Sequence, residues 1–83
     1  MQMFHCCVKK GDDFIVTTEH ASAPEVLILQ DLYPDAFIDY QHHYTIPVDC
    51  AYEERGRLIA TYGKDVVYKL FGTGTWLPKE ILQ

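Results

Sequence analysis

Basic residues are scarce. The chain holds seven Lys and Arg against twelve Asp and Glu, and the only adjacent basic residues in it are Lys9-Lys10 and nothing longer. A protein that neutralises phosphates needs a dense Lys/Arg surface, so direct nucleic-acid binding is not expected. The same shortage argues against an anionic membrane surface. Long hydrophobic runs are missing too: the longest, Val26 to Leu29, is four residues, far short of a bilayer span. No charged segment followed by an apolar stretch opens the sequence, and the expected location is the cytoplasm. Cysteine is limited to Cys6, Cys7 and Cys50, an odd number with two adjacent, which is no disulfide framework; reduced thiols are expected. Gly72-Thr73-Gly74-Thr75 leads into Trp76 with no lysine following, so it reads as a turn and not as a phosphate cradle.

What is present is apolar and aromatic. Of 83 residues 48% are hydrophobic, and eleven are Tyr, Phe or Trp, enough burial to offset chain entropy in one small domain. A domain of this length buries roughly 60–65% of the surface its unfolded chain exposes, so its core is thin. The net charge of −5 is uneven. Residues 1–49 set two lysines against eight acidic residues, whereas residues 50–83 hold five basic and four acidic ones. A charged partner is therefore expected to be basic rather than acidic.

Phe4, Cys6 and Val8 alternate within residues 1–9, the period of a half-buried strand. Lys10-Gly11-Asp12-Asp13 reads as a turn with Gly11 at positive φ, and the β-branched run Phe14 to Thr18 returns as a hairpin. Ser22-Ala23-Pro24-Glu25 carries a capping serine, a proline in the first turn and a glutamate three residues on, which starts a helix. Its apolar face is expected at Val26, Leu29, Leu32 and Tyr33, and Pro34 stops it. A third strand is expected over 36–41, possible as far as Ile46, with Pro47 closing it. Asp49 is placed to cap a second helix over 50–62 with Ala51, Leu58, Ile59 and Tyr62 inward, and Gly63 ends it. A short third helix follows over 65–71, and the apolar tail around Trp76 and Leu77 is expected to pack back over the sheet. The order ββαβαα implies an α+β fold, a three-stranded sheet with helices packed on one face.

Several side chains have chemical potential. His5, Cys6, Cys7, His42, His43 and Cys50 are metal-capable, but zinc sites pair ligands two to four residues apart on a tight knuckle, whereas adjacent strand residues point to opposite faces; neither metal nor cofactor is expected. A Cys/His nucleophile needs an oxyanion site and an elbow that this chain does not display, so an enzyme is not expected. Glu53-Glu54-Arg55-Gly56-Arg57 mixes signs and reads as a solvated helix face with local ion pairs. Tyr40-Gln41-His42-His43-Tyr44 crowds hydrogen-bonding aromatics beside Asp35 and Asp39, and tyrosine offers contact area at low entropy cost. Asp35, Asp39, Tyr40, His42, His43 and Tyr44 are thus the expected protein-binding residues, weighed against the plainer reading that one tyrosine of an alternating strand is buried in the core.

Two segments together, Ser22-Ala23-Pro24-Glu25-Val26-Leu27-Ile28-Leu29 and Glu54-Arg55-Gly56-Arg57-Leu58 leading to Tyr62-Gly63, Val67 to Gly72 and Leu77-Pro78, resemble small proteins encoded by tailed bacteriophages and prophages. The resemblance covers about half the chain, with Tyr33-Pro34-Asp35 standing where a glycine-containing link is expected. It implies a protein that binds and inhibits a host defence or transcription component, or a minor structural piece of a particle or homo-oligomeric assembly. No functional residue is carried over by it.

Overall fold

The computed structural model describes residues 1–73, and their element order is ββαβαα. Strand β1 (Gln2–Lys10) and β2 (Asp13–Ser22) form the expected hairpin, with Gly11 at φ +62 in its turn. β2 is twice as long as its β-branched run because Thr17 to Ser22 continues the antiparallel ladder against β1 until Ser22 caps the helix. Helix α1 (Ala23–Leu32) starts as its capping signal dictates: the Ser22 hydroxyl accepts the Glu25 N–H at 3.3 Å. Its inward residues are Val26, Ile28 and Leu29, while Leu32 is exposed, so the expected face is corrected by about one residue around the axis. Strand β3 (Phe37–Thr45) takes the longer of its two expected extents and pairs antiparallel with β1. The sheet order is β2-β1-β3, which puts both later strands at edges.

A 3₁₀ turn (Val48–Cys50) precedes α2 (Ala51–Tyr62). Asp49 lies inside that turn and Cys50 occupies the cap position with no side-chain bond to the helix, so the expected aspartate cap does not form. The 3₁₀ turn itself is closed by the backbone, Cys50 N–H donating to the Pro47 carbonyl at 3.2 Å. Gly63, at φ +95, joins α2 to α3 (Lys64–Phe71) as a residue free of the Cβ penalty. The expected packing of Trp76 and Leu77 lies outside the described residues.

The core divides along the sheet. Cys6 and Val8 of β1 pack with Ala21, Val26 and Leu29, beneath α1. Met1 and Met3 pack with Ile28, Ala51, Leu58 and Val67, joining the sheet's other end to all three helices. No helix of the described residues is long and apolar enough to cross a membrane.

Candidate protein-docking surface

The inward positions of the sheet determine what its other face presents. Because successive strand residues alternate, the burial of Cys6 and Val8 against α1 turns His5, Cys7 and Lys9 the other way. Register places their cross-strand neighbours. Lys9 lies between Phe14 and Phe37, Cys7 between Thr17 and Asp39, and His5 beside Gln41. Phe14 is 68% exposed and Phe37 69%, unusual for phenylalanine in a strand, and the Lys9 ammonium sits 5.3 Å from the centre of the Phe14 ring. His5, Cys7, Thr17, Asp39 and Gln41 line a shallow groove of about 410 Å³ in the middle of this face. At its far end the His43 ring lies tilted against His5 with centroids 4.0 Å apart, and His20 stands 6.4 Å from His43. The face therefore grades from two phenylalanines flanking a lysine, through small polar side chains, to three imidazoles.

The expected binding residues do not form one patch. Asp39 lines the central groove, and His43 belongs to the imidazole end. Tyr40 and His42 turn to the opposite side, where each makes an edge-on contact with Phe4 at 5.6 and 6.0 Å. Tyr44 is half-buried against the Met1/Met3 cluster, and its hydroxyl is 3.0 Å from His20 Nδ1. Asp35 stands apart in the loop after α1, at a small cavity with Lys10, Ile15, Leu32 and Tyr33. The reason is the period of two: five consecutive residues of an extended strand cannot share a face.

Phe14, Phe37 and Lys9 were not among the expected binding residues. Their signal is the pairing of two large hydrophobes in succession, Phe14-Ile15 and Phe37-Ile38, since one of each pair must face away from a core on one side only.

The Glu53 to Arg57 segment also differs from its expected solvated state. Positions 51, 54, 55, 58 and 62 fall on one stripe of α2, so Glu54 and Arg55 are buried with Ala51 and Leu58. Glu25 of α1, 3% exposed, receives Arg57 Nη2 at 2.7 Å on one carboxylate oxygen and the Tyr62 hydroxyl at 2.6 Å on the other. Arg57 Nε also donates to both oxygens of Glu54, at 3.1 and 3.0 Å. Glu54 first, and Glu25 after it, hold the Arg57 charge more firmly than in a free guanidinium. Burial and the bond to Glu25 raise the Tyr62 phenol above its ordinary range. This cluster fastens α1 to α2. Lys69 adds an exposed bridge from α3 to Asp31, at 3.1 Å. The acidic first half is thus partly neutralised by the second, and its outward charge comes from Asp12, Asp13, Glu19, Asp35, Asp39 and Asp49, all exposed.

The surroundings of Cys6 do not suit a nucleophile. Burial, with Glu25, Cys7 and Asp39 nearby, pushes the Cys6 thiol up to about 11, the reverse of what a nucleophile requires. Among the described residues no group of three or more His, Cys, Asp or Glu side chains is arranged to hold a metal ion; the His5 and His43 rings lie against each other instead. Compared with family models, curated proteins and solved structures, the chain matches none.

Proposed function

We propose that this protein is a non-enzymatic interaction domain that docks on another protein through the sheet face bearing Phe14, Lys9, Phe37 and the groove beside Asp39. The observation that carries the reading is the exposure of two phenylalanines in register on either side of a lysine. Leaving both rings in water forgoes about 1.5–3 kcal/mol of burial each, and aromatic residues are enriched in the buried centres of protein interfaces. Lys9 interrupts the apolar surface and discourages indiscriminate association, while the six outward acidic groups favour a basic partner. The resemblance to small phage and prophage proteins supplies the setting, a bacterial host protein of defence or transcription as the one bound and inhibited.

Affinity capture from a bacterial host lysate with quantitative mass spectrometry tests this. The expected result is a small set of basic proteins enriched over a charge-matched control domain. Recovery of nothing above that control overturns the proposal.

A further inference from the structure

The two edges of the sheet are not equivalent. Strand β2 departs from regular pairing twice, between Phe4/Cys6 and between Val8/Lys9, and bulged edges accept new strands poorly. Strand β3 pairs with β1 and, among the described residues, with no other strand. It keeps a continuous register from Phe37 to His42 and departs from it once, at His43. Seven of its nine residues are exposed, among them Phe37 and Tyr40, and it carries neither lysine nor proline, the residues by which sheet edges are usually blunted.

The chemistry of β3 reads symmetrically about its central residue. An antiparallel partner of the same sequence, centred on Gln41, brings Asp39 to His43, where the regular stretch of β3 ends, and sets Tyr40 opposite His42 within that stretch. The first of these pairs occurs twice by symmetry, between an acid and an exposed imidazole that both lie on the groove side of the sheet. The second pairs aromatic rings that both lie on the Phe4 side. The two neighbouring registers lose the acid–imidazole pair: centring on Tyr40 leaves Asp39 against Gln41, and centring on His42 leaves it against Thr45.

We propose that β3 is a self-complementary edge through which two copies of this chain associate, antiparallel about Gln41, into a continuous six-stranded sheet. This edge adjoins the Phe14/Phe37 surface, Phe37 and Asp39 belonging to both, and it would place two such surfaces side by side on one side of a two-fold dimer. A nine-residue edge junction buries less than the roughly 1,600 Å² of a standard interface, so the association depends on concentration.

Sedimentation velocity of the purified protein, from low micromolar to near-millimolar concentration, reads the proposal without any partner present. The sedimentation coefficient is expected to rise toward that of a dimer. Asp39→Lys and His43→Asp should each raise the dimer dissociation constant about tenfold. The combined Asp39→Lys/His43→Asp protein, in which both pairs are restored with reversed polarity, should return to near the parent value. A monomer at every concentration overturns the inference, as do single variants that associate like the parent or a combined variant no better than either single one. Should one single variant fail to fold, the other and the combination still decide. Because sedimentation is read with no partner present, a monomeric parent protein leaves the docking reading standing, and an empty capture from a lysate leaves this one.

Discussion

Glu25 is the residue through which α1 is hydrogen-bonded to α2. Both its oxygens are occupied by α2, one by the Arg57 guanidinium and the other by the Tyr62 hydroxyl. Tyr62→Phe removes one donor from a buried carboxylate and is expected to cost about 1–2 kcal/mol in urea unfolding. Arg57→Ala leaves Glu25 without its cation; because the Arg57 side chain is 42% exposed and solvent screens the pair, the expected loss is about 2–3 kcal/mol, below that of a fully buried pair. The pH dependence follows from two groups whose proton is held more tightly when folded. Cys6 rises from 9.0 to about 11 and Tyr62 rises above its ordinary range. In each, the protonated form is favoured in the folded state, so their contribution is intact below about pH 9 and is lost as pH climbs through the window from 9 to 11 and beyond. Unfolding free energy measured at intervals from pH 8 upward should fall across that range, with Cys6 the slowest of the three thiols to alkylate at pH 8. A flat profile, or Cys6 reacting at the rate of Cys7, contradicts this.

At the scale of elements, local signals were legible wherever one residue enforces a backbone state. Ser22 with Pro24 and Glu25 announced α1, and Gly11 and Gly63 marked positive φ. The misses came from competition between local and tertiary terms. Asp49 has the chemistry of a cap, but the 3₁₀ turn closed on the Pro47 carbonyl takes the aspartate into itself and leaves Cys50 at the capping position. Glu54 and Arg55 look solvated in composition, yet the helical period sets them on the buried stripe, where Arg57 pairs with Glu54 and Arg55 donates to the Gly72 carbonyl at 3.3 Å. Two glycines test how far backbone alone decides these elements. A Cβ at either Gly56 or Gly63 meets nothing within 4 Å, so packing does not enter. Gly56→Ala, in mid-helix, should stabilise by about 1 kcal/mol. Gly63→Ala, at φ 95 and ψ 154 where side chains are excluded, should destabilise by about 1–3 kcal/mol. Opposite shifts in the urea midpoint are the expected outcome, and shifts of the same sign would contradict this account of the α2–α3 joint.

For the molecule as a whole, α+β class and element order follow from alternation, helical period and turn residues, and the structure has that architecture. The proposed docking surface was legible only in part, because a face is made by register between strands far apart in sequence. Asp39 and His43 were identified, but Tyr40, His42 and Asp35 go elsewhere, and Lys9 with its two phenylalanines becomes visible only when β1 is laid between β2 and β3. The acidity of the first half also changes meaning: Glu25 and Asp31 answer the helices, leaving six acids exposed to solvent.

The most direct measurement is capture from a host lysate by the parent protein and by Phe14→Asp/Phe37→Asp side by side. Neither ring is part of the core, so the double variant should unfold within about 0.5 kcal/mol of the parent. The expected result is that proteins enriched by the parent are lost from the variant. Retention of the same proteins by a folded variant would contradict the claim that this sheet face is the docking surface.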